Sequence, residues 1–337
     1  MQAMRRTNAR MKTHPARTGL LPLAMAALAL CGTVLSAELQ TLLPEDGIGE
    51  SDDGFGYSIA ADNGWVVIGA PGENDSRGDV YIYACAIASC TLVDELNVPA
   101  LPAGARFGSA VAVSGDTVAV SAPGNGIGEA FVFERVAGQW QMQEVPGQVF
   151  GSGGRFGASL ALSGDTLVMG ADDQDGRRGV AYVWRKIGAT WEPEQTLRPS
   201  GRNVGDRFGS SVAVSGDTLL VAAPYAPAGV AAPGYAAGEA HVFTRVGSVW
   251  TRSQVLRALS PATAARFGFA LALNGDSAVI GAPGASGGAG RAYHFERQLG
   301  VFGLRSEWSP IDAPPADVYA RSVPVALESL LVAAPFA

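Results

Sequence analysis

The run ADDQDG sets Asp172, Asp173 and Asp175 within four positions. Carboxylates at that density can gather the roughly six to eight oxygens that a calcium ion takes, which makes the three a candidate metal site. Glu73 and Asp75 occupy the equivalent loop of an earlier repeat. The plainer reading is a solvated turn on an acidic chain, so no cofactor is expected, and calcium is the one cation these residues could hold. Arg106, Arg155, Arg207 and Arg266 each stand directly before a Phe-Gly pair. Repetition places them in a ring on one face, where they either meet a ligand or cap carbonyls and pair with a neighbouring unit's acids. For catalysis there is little material. Past residue 37 the histidines are His241 and His294, at non-equivalent positions, and no His-Glu-x-x-His occurs. A carboxylate-pair hydrolase needs only two acids that meet in space, but the chain is read as a non-enzyme. The glycine runs PGNGIG and GASGGAG lack the lysine and helix of a phosphate loop.

What must position these residues is a repeat. FGSSVAVSGDTLLVAAP, Phe208 to Pro224, recurs in edited form from Phe55, Phe107, Phe156, Phe267 and, degenerately, Tyr319. Bulky Val111 and Val113 alternate with small Ala112, and Leu160 and Leu162 with Ala161. Period two with one bulky and one small face is a strand in a crowded layer. A Ser-Gly-Asp or Asn-Gly-Asp turn leads to an aliphatic strand buried on both faces, usually closed by a proline that cannot donate to a ladder. A third strand carries alternating aromatics (Phe131 and Phe133, Tyr182 and Trp184). A fourth opens on Trp140, Trp191, Trp250 or Trp308. Four antiparallel strands in about 50 residues predict an all-β propeller of stacked blades. Glu38 to Pro44 is similar to a fourth strand without a blade and is expected to close the ring. Tyr319 begins a sixth copy that holds two strands and has Ala320 for glycine. Either the N-terminal strand completes a depleted sixth blade or the chain is a fragment of a longer ring, and the second is favoured.

One hairpin predicts its own covalent chemistry. Arg135 and Trp140, Lys186 and Trp191, and Arg245 and Trp250 lie five apart across the third turn, where they face each other and a cation can stack on an indole. In the first repeat those positions are Cys85 and Cys90. A disulfide is therefore expected.

The residues now carry a resemblance. FGYSIAADNGWVVIGAP (55–71) and FGFALALNGDSAVIGAP (267–283) resemble the FG-GAP repeats of the integrin α-subunit propeller and of exported bacterial proteins. The resemblance implies a propeller, usually of seven blades, and functions ranging from adhesion to an accessory domain of a phospholipase. Integrin-like calcium loops lie between the first and second strands; here that place is a short turn with one acid, Asp116 or Asp217. Arg77-Gly78-Asp79 spells the tripeptide integrins bind, but other repeats show that its glycine belongs to the start of the third strand.

Residues 1–37 read as a signal peptide: five cations, an apolar run from Leu20 to Leu30, then Ser36 and Ala37. The apolar run is too short to span a membrane. Its removal leaves 19 Lys and Arg against 31 Asp and Glu, a formal −12 on residues 38–337, which disfavours nucleic acid and anionic membranes. Loops between the second and third strands emerge with the blade linkers on one face, and these are the parts that vary. The longest, YAPAGVAAPGYAAG, offers Tyr225 and Tyr235 as ligand contacts, with the four arginines beside them. The expected function is an adhesion or binding module for a protein or glycan, secreted, periplasmic or on the cell surface. The alternatives are an accessory domain of a secreted hydrolase and a purely structural surface repeat.

Overall fold

Alternation becomes sheet wherever it was read. A computed structural model of the chain describes residues 42, 53–86, 89–143, 154–198, 200–201, 203–227, 236–310, 320, 322, 325–326 and 329–330. Blade one is β1 (Ser58–Asp62), β2 (Trp65–Ala70), β3 (Asp79–Ala86) and β4 (Ser89–Leu96). Blade two is β5 (Val111–Ser114), β6 (Thr117–Ala122), β7 (Glu129–Val136) and β8 (Gln139–Gln143). Blade three is β9 (Ser159–Ser163), β10 (Thr166–Ala171), β11 (Val180–Ile187) and β12 (Thr190–Leu197). Blade four is β13 (Val212–Ser215), β14 (Thr218–Ala223), β15 (Glu239–Val246) and β16 (Val249–Leu256). Blade five is β17 (Ala270–Asn274), β18 (Ser277–Ala282), β19 (Arg291–Gln298) and β20 (Val301–Trp308). Each is an antiparallel meander, and the first strands of successive blades touch, as propeller geometry requires.

The two-faced strands explain the stacking. Small Ala112 and Ala119 of blade two lie against Leu160, Leu167, Tyr182 and Trp184 of blade three. Ala161 and Ala181 of blade three receive Val212, Leu219 and Phe243 of blade four, and Ala213 and Ala240 receive Tyr293 and Phe295 of blade five. Small against large lets neighbouring sheets close to native density. The Phe of each Phe-Gly then packs on the first aromatic of its own third strand: Phe55 on Tyr81, Phe107 on Phe131, Phe156 on Tyr182, Phe267 on Tyr293, with ring centroids 5.2–5.6 Å apart. The glycines lie at the seams. A Cβ on Gly170 would stand 1.8 Å from the carbonyl oxygen of Gly209 in the next blade, and one on Gly69 2.1 Å from that of Gly108.

The blade count departs from the six or seven expected. Five four-stranded blades are present among the described residues, followed by the two-stranded β21 (Val325–Ala326) and β22 (Ser329–Leu330). Among the described residues the sixth copy contributes these two strands. Its start is nevertheless seated like the others: Gly281 faces the carbonyl of Ala320 at 2.1 Å from a Cβ position, and Ala320 takes φ +67° in the glycine's place. Of the proposed closing strand, Leu42 is described and packs against Val66, Ile68 and Tyr81 of blade one; the rest of 38–44 lies outside the described residues. So do residues 1–37, including the expected signal peptide. Among the described residues no helix is long and apolar enough to cross a membrane.

The hairpin expectation holds for the cysteines. Cys85 and Cys90 are register partners joined by a disulfide with Cα atoms 4.0 Å apart. It holds for Arg245, whose guanidinium lies 5.1 Å from the Trp250 ring. Two pairs need correction. Arg135 stacks instead on Trp65 of blade one at 4.9 Å, and Lys186 pairs with Glu134 of blade two at 2.8 Å. The long cations reach the preceding blade, where an acid or a free indole face competes with the cross-strand ring. Trp308 also ends its strand rather than opening it; Phe302 is the residue opposite Arg297, 5.4 Å from its guanidinium.

Candidate functional site

The loop face is built from backbone contacts between each second loop and the next linker. The Arg106 N–H donates to Ser76 O, Arg207 to Arg177 O and Arg266 to Ala236 O, at 2.8–3.0 Å. In blades one and three the loops are left-handed turns of non-glycine residues, Asn74 to Ser76 and Asp175 to Arg177, the latter with Gly176 at its centre. Such turns are strained for L-residues and had no clear signature in the sequence.

The four ring arginines all adopt φ between +53° and +59°, where blade one has Gly54 at +68°. Their side chains do not point to an empty axis. Arg106 lies 5.8 Å from the Tyr57 ring of blade one. Arg207 and Arg266 lie 5.4 and 5.5 Å from the single ring of Tyr225. Arg207 also donates to Asp172 Oδ2 at 3.1 Å, and Arg155 stands 3.7 Å from the same oxygen. The ring thus cross-ties blades through Tyr57, Asp172 and Tyr225. Tyr235, the other tyrosine expected here, lies outside the described residues.

The acidic trio is dispersed among arginines. Asp173 pairs with Arg177 at 3.1 Å, and Asp175 lies 3.8 Å from Arg198. Asp172 is buried, and its Oδ1 has no hydrogen-bond partner. Among the described residues no three acidic, His or Cys side chains are arranged to hold a metal ion.

Blade one's loop is the acidic counterpart. The Tyr81 hydroxyl donates to both Glu73 oxygens at 2.8 and 2.9 Å, and Asn74 donates to buried Asp79. Burial pushes the Glu73 pKa up to about 7; the Tyr81 bond lowers it, and Asp79 and Asp53 raise it. Asp79 is 2 % exposed and Arg77 is tied to Leu101 O at 2.9 Å, so Arg-Gly-Asp is part of the scaffold rather than a displayed ligand.

His241 takes the tyrosine position of blade four, 5.3 Å from Phe208. Burial, with Arg252 and Arg257 nearby, pushes its pKa down to about 4, and Nδ1 has no hydrogen-bond partner. His294 bonds Ser277 Oγ at 2.9 Å and stacks on Trp308. Sequence reasoning missed the work of the turn acids: Asp217 binds Arg245 at 2.7 Å and Asp276 binds Arg297 at 2.6 Å. Both arginines continue into the preceding blade, to Thr166 and Thr218. The available signal was that both blades carry an acid in the first turn and an arginine at the same position of the third strand.

Comparison with known proteins agrees with this architecture. The pattern described as FG-GAP repeat matches residues 37–83, 102–133, 191–243 and 250–295, together more than half of the chain. A crystal structure of a protein from Lactobacillus plantarum is similar over 80% of this chain and 75% of its own, with a TM-score of 0.50 and 14% identity. That likeness concerns the fold alone. No curated protein matches the chain.

Proposed function

The chain belongs to the FG-GAP repeat family, and on that premise we propose that it is an exported propeller acting as a binding or adhesion module at the cell envelope, with a protein or glycan ligand on the loop face. The observation that carries this reading is the neck of the fourth-blade loop. The Gly238 N–H donates to Ala226 O at 2.9 Å, and Tyr225 at the base is held by Arg207 and Arg266. Ala236 and Ala237 accept the Arg266 and Phe267 N–H groups, and residues 228–235 lengthen the loop beyond its counterparts, on a face where the corresponding loops differ in length. Variable loops on a rigid scaffold are where recognition concentrates.

Export is supported by the disulfide, which persists in oxidising compartments, and by the signal-like N-terminal sequence. A secreted, periplasmic or surface location follows. We assign no catalytic role: His241 is buried against Phe208, His294 is stacked on Trp308, and Cys85 is bonded to Cys90.

The test is to replace residues 228–235 by a short Gly-Ser turn and screen both chains on glycan and envelope-protein arrays. The reading expects wild-type signals that the variant loses at unchanged melting temperature. Identical profiles would refute it.

A further inference from the structure

Charge is unevenly spread over the loop face. In blade one the loop sequence holds three acids, Glu73, Asp75 and buried Asp79, to one cation, Arg77. In blade three the balance reverses. Arg155, Arg177, Arg198 and Arg207 lie against the carboxylates of Asp172, Asp173 and Asp175, and Arg178 donates to the Asp175 carbonyl, on a chain whose formal charge is −7. Asp206, next to Arg207 in sequence, is buried and taken by the Asn203 N–H at 2.5 Å.

The geometry leaves arginine donors to spare. Arg155 and Arg207 share one oxygen of Asp172, and Arg155 at 3.7 Å is outside hydrogen-bond distance. Arg155 and Arg177 side chains are 53% and 62% exposed. A guanidinium carries five N–H donors in a planar fork suited to oxyanions. The buried Asp172 carboxylate, standing where most blades have proline, holds two guanidiniums together from beneath, and its Oδ1 is buried without a partner.

We propose that this sector is a subsite for the carboxylate or sulfate groups of an acidic polysaccharide. This rests on the loop-face reading above and names its ligand class. An acidic saccharide in which charged and neutral sugars alternate can seat one or two oxyanions on blade three. A nucleic acid, with a charge at every residue, meets repulsion from the acidic blade-one loop on the same face.

The test uses the full chain and a sulfated oligosaccharide, with its desulfated parent as control. Wild type binds the sulfated probe at low salt, more weakly as salt rises, and does not bind the parent. Arg155→Gln with Arg177→Gln, both exposed, lowers affinity about tenfold, the loss expected for charge-assisted hydrogen bonds. Arg198→Gln reports on the same sector should the double variant lose its native circular dichroism. Unchanged affinity in the arginine variants overturns the proposal, as does absence of wild-type binding or tighter binding of a phosphopeptide or single-stranded oligonucleotide. A chain with residues 228–235 replaced and the arginines intact separates the two readings. If it alone loses the probe, the arginine subsite falls and the loop-face reading stands; if neither variant loses it, both fall.

Discussion

The side-chain oxygen of Ser163 accepts a 3.1 Å hydrogen bond from the backbone N–H of Gly216, in the first turn of the next blade. Ser114 binds Gly164 and Ser215 binds Gly275 in the same way, both at 3.0 Å, and Asp62 binds Gly115 at 2.7 Å. The Ser-Gly-Asp turn is therefore an inter-blade tie: serine holds the following blade, glycine is held by the preceding one, and the acid takes the third-strand arginine in blades four and five. Ser163→Ala should lower stability by about 0.5–1 kcal/mol, the net worth of one hydrogen bond. Denaturant unfolding measures it.

The seam glycines should be far less tolerant than the turn glycines. Gly170→Ala forces a Cβ to within 1.8 Å of the Gly209 carbonyl oxygen. Overpacking of this kind costs about 1–3 kcal/mol or more. Gly216→Ala meets nothing within 4 Å and carries only the strain of φ +54°, about 1 kcal/mol. A thermal-melt comparison of the two variants in which Gly216→Ala is the worse would contradict the seam assignment.

Reducing the first blade's disulfide should be felt as a local loss. Replacing Cys85 and Cys90 by serine should cost about 2 kcal/mol on the chain-entropy estimate. Thiol titration of unreduced, unfolded protein should find neither cysteine free.

The Glu73 carboxyl gives a pH signature. Its folded pKa of about 7 lies above the ordinary 4.5, so folding takes up a proton. That contribution is full below about 4.5 and is lost as pH rises through about 7. Glu73→Gln should flatten the stability profile between those values and gain relative to wild type at pH 8. A melting-temperature series across pH 4.5–8.5 decides it; a wild-type profile rising through neutrality because of Glu73 would be the wrong sign.

Much of this fold was legible because a two-residue period and an aliphatic second strand leave few alternatives. The disulfide followed from the same register, since Cys85 and Cys90 face each other whatever the neighbouring blades do. What failed depended on blades meeting across a seam. Arg135 and Lys186 choose Trp65 and Glu134 because those groups come within reach of a long side chain, and no spacing within one repeat records it. Phe302, five residues after Arg297, holds the position that Trp140, Trp191 and Trp250 hold in blades two to four. The tie of Asp172 to Arg207 of the next blade was invisible because it crosses a seam.

The most direct test of the central claim is amide hydrogen exchange on the full chain, with and without the strongest binder from the arrays. Recognition on the loop face predicts protection around Arg155, Arg177, Tyr225 and Arg266. Protection confined to the opposite hairpin tips, where Val136, Ile187, Val246 and Leu299 are exposed, would contradict it.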